Sequence, residues 1–114
     1  MFDQLKALSQ MGPMMEKARE MQTRMQEMQA RLPSIRATGS AGGSLVTATA
    51  NGLMEITSIT YATTAPLTDT ELLADLTRAA VNQALNNARA QVEKAMEQIT
   101  GGIDLGALRG LLGQ

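Results

Sequence analysis

Residues 45–61 read LVTATANGLMEITSITY, and this stretch decides the fold. Apolar and polar residues alternate over 45–50, which is the pattern of a β-strand with one buried face. The β-branched residues of 53–61 predict a second strand. Asn51-Gly52 between the two favours a two-residue type I′ turn, so the stretch predicts an antiparallel hairpin.

A glycine- and serine-rich connector, GSAGGS at residues 39–44, precedes this hairpin. A phosphate-binding P-loop would need a lysine and a following helix, so we interpret the connector as a turn between strands. Residues 34–38 before it predict another short strand. Beyond the hairpin turn, the apolar phase slips between Ile56 and Ile59, which indicates a β-bulge near residues 57–58.

A long helix is predicted on each side of the strands. Pro13 suits the first position of a helix, and Pro33 disfavours helical geometry in the residue before it, so the first helix should span 13–32. Thr68 and the glutamate three residues later have the spacing of a capping box, which predicts a second helix over 69–99. The fold class is therefore α+β, a two-layer α-β-β-β-α arrangement with an antiparallel sheet.

The first helix carries one regular apolar stripe, which we call the Met seam. Its members follow one another at alternating steps of four and three, and a stripe this regular packs along another helix or a sheet. The second helix has an alanine-rich stripe, which allows close approach to the sheet. The Met seam consists of Met14, Ala18, Met21, Met25, Met28 and Leu32.

Composition sets further bounds. The chain has 114 residues, nine of them methionine and only two aromatic, so its core is modest and self-association is expected. We expect one domain over 1–100 and a flexible glycine-rich tail over 101–114. The absence of cysteine and histidine removes disulfides, the commonest metal ligand and the commonest general base. We expect no enzyme, cofactor or small-molecule substrate, and, without a signal peptide or membrane span, a cytoplasmic protein.

Basic side chains are concentrated near the start of the chain. The net charge is −1, but residues 1–38 hold six basic and four acidic groups, a balance of +2. Lys17, Arg24 and Arg31 recur every seven residues, about 10 Å apart along a helix, and such a row suits the backbone of a polyanion. The glutamates four residues before Arg24 and Arg31 favour the alternative, a solvated face with surface ion pairs.

The second helix carries a narrow sector of hydrogen-bond donors. Arg78, Asn82, Asn86 and Arg89 follow at steps of four, four and three. Arginine and asparagine side chains donate to phosphate oxygens or base edges, although an ordinary wet helix face also explains the pattern.

Four segments of the chain form a recognisable pattern: MQTRMQEMQ (21–29), TGSAGGSLVTATANG (38–52), AAVNQA (79–84) and TGGI (100–103). Together they resemble the YbaB/EbfC family of small bacterial nucleoid-associated proteins, over nearly the whole chain. The resemblance implies a tweezer-like homodimer joined largely through its sheets, helices that grip duplex DNA, and a role in nucleoid organisation or gene regulation. Three features differ from the family's usual pattern: Thr47 stands in place of a lysine, Ser44 stands in place of a glycine, and residues 61–67 lack the usual acidic-proline stretch before the last helix.

The leading hypothesis is therefore a homodimer in the cytoplasm and nucleoid that binds double-stranded DNA with little sequence preference. The alternative is a dimeric protein-interaction module that holds a partner protein with the Met seam. The candidate DNA-binding residues are Lys17, Arg24, Arg31, Arg78, Asn82 and Arg89. The candidate dimer-interface residues are Val46, Ala48, Ala50, Ile56, Met21, Met25 and Met28.

Overall fold

The computed structural model describes residues 2–100, except the side chains at 2, 3, 6–8 and 10. The predicted α-β-β-β-α order is confirmed, and the predicted tail at 101–114 lies outside the described residues. The elements are α1 (Phe2–Arg31), a 3₁₀ turn (Leu32–Ser34), β1 (Ala37–Ala41), β2 (Val46–Ala50), β3 (Ile56–Tyr61) and α2 (Thr70–Ile99).

Contacts divide the chain into two compact units. One contains residues 30–95, with the three strands and most of α2. The other contains α1 up to Gln29 together with the last residues of α2 from Met96. No helix within residues 2–100 has the length and apolar content needed to cross a membrane.

The three strands form one antiparallel sheet in the order β1-β2-β3. Thr49 pairs with Ser58, but Ala50 pairs with Ile56, so Thr57 is an extra residue on β3. The β-bulge predicted near residues 57–58 is therefore confirmed.

The core lies between β2 and α2 and is built from small side chains. Alternation places one face of β2 against α2, and the alanines at every fourth position of α2 cover it. A Cβ atom added to Gly39 on β1 would lie 2.8 Å from Gln83 Cβ and would also overlap the backbone of Ala80 and Ala84. Six residues of this core are 0% exposed: Val46, Ala48, Ala50, Ala80, Ala84 and Ala88.

Three amide side chains of α2 bond the outer edge of the sheet at β1. Gln83 Oε1 accepts the Ser40 N–H at 2.6 Å. One turn later Asn87 Nδ2 donates to the Thr38 carbonyl at 2.7 Å, and Gln91 Nε2 donates to the Arg36 carbonyl at 3.3 Å. Unpaired strand edges invite pairing with other chains, and these bonds close this edge from within the protomer.

The hairpin turn is longer than predicted. Residues 51–55 form the connection, because the buried Asn51 side chain organises a wider loop: its Oδ1 accepts the N–H groups of Leu53 and Glu55 at 2.9 and 3.1 Å. The Asn51 N–H donates to the Glu55 carbonyl at 3.0 Å, which closes a loop wider than two residues, and the Gly52 N–H donates to the Leu32 carbonyl at 2.9 Å. The predicted type I′ turn is wrong, and the predicted strand 53–61 shortens to Ile56–Tyr61.

The start and end of α1 also differ from the prediction of 13–32. The helix begins at Phe2 and continues through Pro13, which has a helical φ but donates no backbone hydrogen bond. Its last turn tightens into the 3₁₀ turn around Pro33, where Ser34 Oγ donates to the Arg31 carbonyl at 2.7 Å. That turn moves the first strand from the predicted 34–38 to Ala37–Ala41.

The second helix starts one residue later than predicted, and its cap is a different residue. The Leu72 N–H donates to Asp69 Oδ1 at 3.1 Å, so Asp69 occupies the N-cap. The predicted capping box at Thr68 is wrong, because the aspartate that follows it offers the acceptor in the correct register.

Candidate nucleic-acid interface

The predicted basic row lies on the surface of α1. Lys17, Arg24 and Arg31 are exposed and occupy every seventh position of one continuous helix. Seven residues rise about 10.5 Å along an α-helix, so the row spans about 21 Å. The described part of the chain shows no hydrogen bond or ion pair to any of these three side chains, so their charges are available to another molecule.

The alternative for this row predicted surface ion pairs. Glu20 and Glu27 lie on the neighbouring flank of α1, but neither pairs with the arginine four residues later. Between residues 2 and 100 the salt bridge is Arg78–Asp75 on α2, at 3.3 Å. The described contacts therefore do not neutralise the α1 cations.

The predicted donor sector of α2, unlike the basic row of α1, contains arginines that already have partners. Arg78 Nη2 pairs with Asp75 Oδ1, and Arg89 Nη1 donates to Asn86 Oδ1 at 3.0 Å. Asn82 is exposed. Each arginine therefore already has one N–H donor engaged with a partner on its own helix.

The structure corrects the prediction for the dimer interface. Val46, Ala48 and Ala50 are fully buried, and half-buried Ile56 packs against the same core. The α2 helix of the same chain covers this face, because its alanines let it approach closely. The side chains of β2 on this face are therefore not available to a second copy.

The Met seam becomes more buried towards its C-terminal end. Met14 is 71% exposed, Met21 and Met25 are half-buried, and Met28 is only 4% exposed. Of the three methionines assigned to the dimer interface, Met28 is already covered within one protomer. The first two members of the seam, Met14 and Ala18, are exposed.

The outer face of the sheet carries only hydroxyl side chains, which sequence reasoning did not single out. Residues paired across antiparallel strands share a face, so the register places six of them opposite the core. The signal was present as serine or threonine at alternate positions in all three strands. These residues are Thr38, Ser40, Thr47, Thr49, Ser58 and Thr60.

The free edge of the sheet is β3. The Ala62 N–H donates to the Leu45 carbonyl at 2.8 Å. This bond shows which residues of β3 direct their backbone groups towards β2. By alternation, the backbone groups of Ile59 and Tyr61 point away from β2. Their exposed fractions are 40% and 45%, and β3 contains neither a charged residue nor a proline.

The structure is thus that of a small α+β protein with three unpaired cations on the surface of α1. The chain belongs to the YbaB/EbfC DNA-binding family, whose model matches residues 7–103. The sequence resemblance to this family is thus confirmed.

Two nucleoid-associated proteins and one crystal structure are similar to this chain. A nucleoid-associated protein of Bartonella tribocorum is 42% identical over 94 residues, which cover 82% of this chain and 84% of the relative. One from Caldanaerobacter subterraneus is 40% identical over 96 residues, covering 83% and 86%. The crystal structure of an uncharacterized protein from Helicobacter pylori shares the fold, with a TM-score of 0.58 and 20% identity over 75% of this chain and 88% of that one.

Proposed function

We propose that this protein binds duplex DNA in the bacterial nucleoid with little sequence preference, through Lys17, Arg24 and Arg31, and so affects DNA conformation, nucleoid organisation or gene regulation. The observation that supports this most is the absence of any partner for these three side chains in the described part of the chain. Membership of a DNA-binding family supplies the class of polyanion.

Phosphate contacts would explain both the low sequence preference and the salt dependence that we expect for DNA binding. Lysine and arginine bound to phosphate oxygens carry no sequence information, which explains a low sequence preference. The net charge of −1 provides no general attraction, so binding depends on the local row and falls steeply with salt. The outer face of the sheet is uncharged and adds no cation. Arg78, Asn82 and Arg89 make secondary contributions to DNA binding.

The first test is a fluorescence-anisotropy titration of two unrelated duplexes at about 50 and about 200 mM salt. We expect similar affinities for both duplexes and a steep loss at the higher salt. The triple variant Lys17→Gln, Arg24→Gln, Arg31→Gln should reduce the slope of log affinity against log salt by about 0.9 for each phosphate that is no longer neutralised. A protein that ignores both duplexes at low salt contradicts the proposal and favours the Met seam as a holder of partner proteins.

We also propose that two copies pair through β3. The α2 amides occupy the β1 edge, whereas β3 offers the backbone groups of Ile59 and Tyr61 and no charge that would repel a second strand. Antiparallel pairing of Ile59 with the partner's Tyr61 would give four backbone hydrogen bonds about a two-fold axis at Thr60. The result would be one six-stranded sheet.

A cysteine at Thr60 tests this pairing. Directly opposed residues in a non-hydrogen-bonded antiparallel pair have Cα atoms about 4.5 Å apart, close enough for a disulfide. Thr60→Cys should therefore cross-link under oxidation, and Thr47→Cys, on the same face of central β2, should not. A dimer in sedimentation velocity without this cross-link assigns the interface to another surface, and a monomer contradicts the dimer itself.

A further inference from the structure

The sulfur chemistry of this chain is confined to methionine. The sequence has nine methionines and no cysteine, tryptophan or histidine, so thioethers are its most readily oxidised side chains. Three of them, Met11, Met14 and Met15, are 53%, 71% and 59% exposed on α1. Spaced by three and four residues, they form one solvent-facing patch, which we call the exposed Met patch.

We propose that the exposed Met patch is an oxidation site for peroxide, and that its oxidation weakens DNA binding. In this step a sulfur lone pair attacks one oxygen of hydrogen peroxide and the O–O bond breaks. The oxygen arrives on the sulfur as OH and the sulfur is oxidised by two electrons. The departing hydroxide takes the proton of that OH and becomes water, which leaves the sulfoxide. The proposal rests on the proposed DNA-binding function for its second half.

Accessibility sets the order of reaction along the helix. Met14 is open to solvent, whereas Met28 is 4% exposed and cannot meet peroxide without an opening of the structure. Because the exposed Met patch lies outside the buried core, a polar sulfoxide there should leave the fold intact. Oxidation of the patch should therefore precede, and be separable from, any loss of structure.

The link to DNA is the position of Met14 relative to Lys17. Residues three apart are neighbours on a helix surface, and the Lys17 ammonium has no partner in the described part of the chain. A thioether is a weak hydrogen-bond acceptor, but a sulfoxide oxygen is a strong one. The new oxygen would draw the ammonium away from a phosphate and place partial negative charge beside it.

The experiment treats the folded full chain with hydrogen peroxide and follows each methionine by peptide mass spectrometry. We expect Met14, Met15 and Met11 to gain one oxygen well before Met28. At that stage duplex affinity should fall roughly three- to tenfold, the reduction expected when one of several phosphate-binding side chains is diverted. Methionine sulfoxide reductase should restore it.

Two triple leucine variants test whether oxidation of the exposed Met patch is what weakens DNA binding. The variant Met11→Leu, Met14→Leu, Met15→Leu should bind DNA like the natural protein and keep its affinity after peroxide. The matched variant Met21→Leu, Met25→Leu, Met28→Leu should remain sensitive. Equal oxidation of Met28 and Met14, or unchanged affinity after the patch is oxidised, overturns the proposal. If the untreated protein binds no DNA, the proposed DNA-binding function is contradicted. The order in which the methionines oxidise would still show whether the exposed Met patch is the oxidation site.

Discussion

The two long helices use their polar side chains in opposite ways. On α2, Gln83 and Asn87 bond the backbone of β1, and Arg78 pairs with an aspartate of its own helix. On α1, Lys17 and Arg24 bond nothing in the part of the chain that the structure describes. These α2 side chains are thus engaged within the protomer, whereas the two α1 cations are unpaired among the described residues, as the proposed DNA contact requires.

The apolar stripes of the two helices also differ, in how deeply they are buried. The alanine stripe of α2 is fully buried against β2, so its small side chains bring the sheet close. The Met seam of α1 is buried only towards Met28, and its first turns face solvent. Substitutions on α2 should therefore change stability, and substitutions on α1 should change binding.

The largest effect is expected where β1 touches α2. Gly39→Ala would push a Cβ atom into the backbone of Ala80 and Ala84, and should lower the free energy of unfolding by about 3 kcal/mol in urea denaturation. Gly43→Ala is the control. It has open space around it and only a positive φ of 66°, so its destabilisation should be about 1 kcal/mol. Equal destabilisation by the two variants would mean that the helix and sheet are not in close contact.

A matched pair of glutamines isolates the bond that closes the sheet edge. Gln83→Ala on α2 removes the acceptor of the Ser40 N–H and should cost about 1 kcal/mol of unfolding free energy. Gln26→Ala on α1 makes the same change in helix propensity at an exposed position. It should stay within about 0.5 kcal/mol of the natural protein. If both variants unfold at the same urea concentration, the edge bond adds nothing.

The start of α2 gives an effect of similar or slightly smaller size. Asp69→Ala removes the acceptor of the Leu72 N–H, and removal of such a cap typically costs about 1 kcal/mol. Thr68→Ala should be nearly neutral in the same thermal or urea unfolding assay. A larger destabilisation from Thr68→Ala would restore the capping box that the sequence suggested.

The smallest effect tests whether pairing is what distinguishes the two helices. Asp75→Asn frees Arg78 and removes a negative charge, so duplex affinity at low salt should rise about two- to threefold. Because the pair is exposed, unfolding free energy should change by less than about 0.5 kcal/mol. An unchanged affinity in the anisotropy titration would show that Arg78 does not approach DNA even when it is free.

Local patterns predicted what depends on nearby residues. The alternation around Ala48 identified the buried face of β2, and the slip between Ile56 and Ile59 located the bulge. The spacing of alanines on α2 predicted close approach to the sheet. The heptad recurrence of Lys17 and Arg24 identified the cations that turn out to be unpaired.

Features set by distant contacts were missed. The Asn51 turn is held in part by Leu32, which lies on the far side of β1 and β2 in sequence. The bond between Gln91 and the Arg36 carbonyl joins residues 55 positions apart, which no helix pattern reveals. The dimer assignment of Ala48 failed for the same reason, because alternation shows that a face is buried but not which element covers it.

The most direct measurement compares the salt dependence of duplex binding for two variants of equal charge. One carries Lys17→Gln, Arg24→Gln and Arg31→Gln. The other carries Arg36→Gln, Arg78→Gln and Arg89→Gln, three side chains that already have partners within the protomer.

Both variants lower the net charge by three, so a general charge effect is the same in each. We expect the α1 variant to reduce the slope of log affinity against log salt by about 2.7, or 0.9 for each of three phosphates, and the other variant to reduce it by less than about 1. Equal slopes for the two variants would contradict the assignment of DNA binding to the unpaired cations of α1.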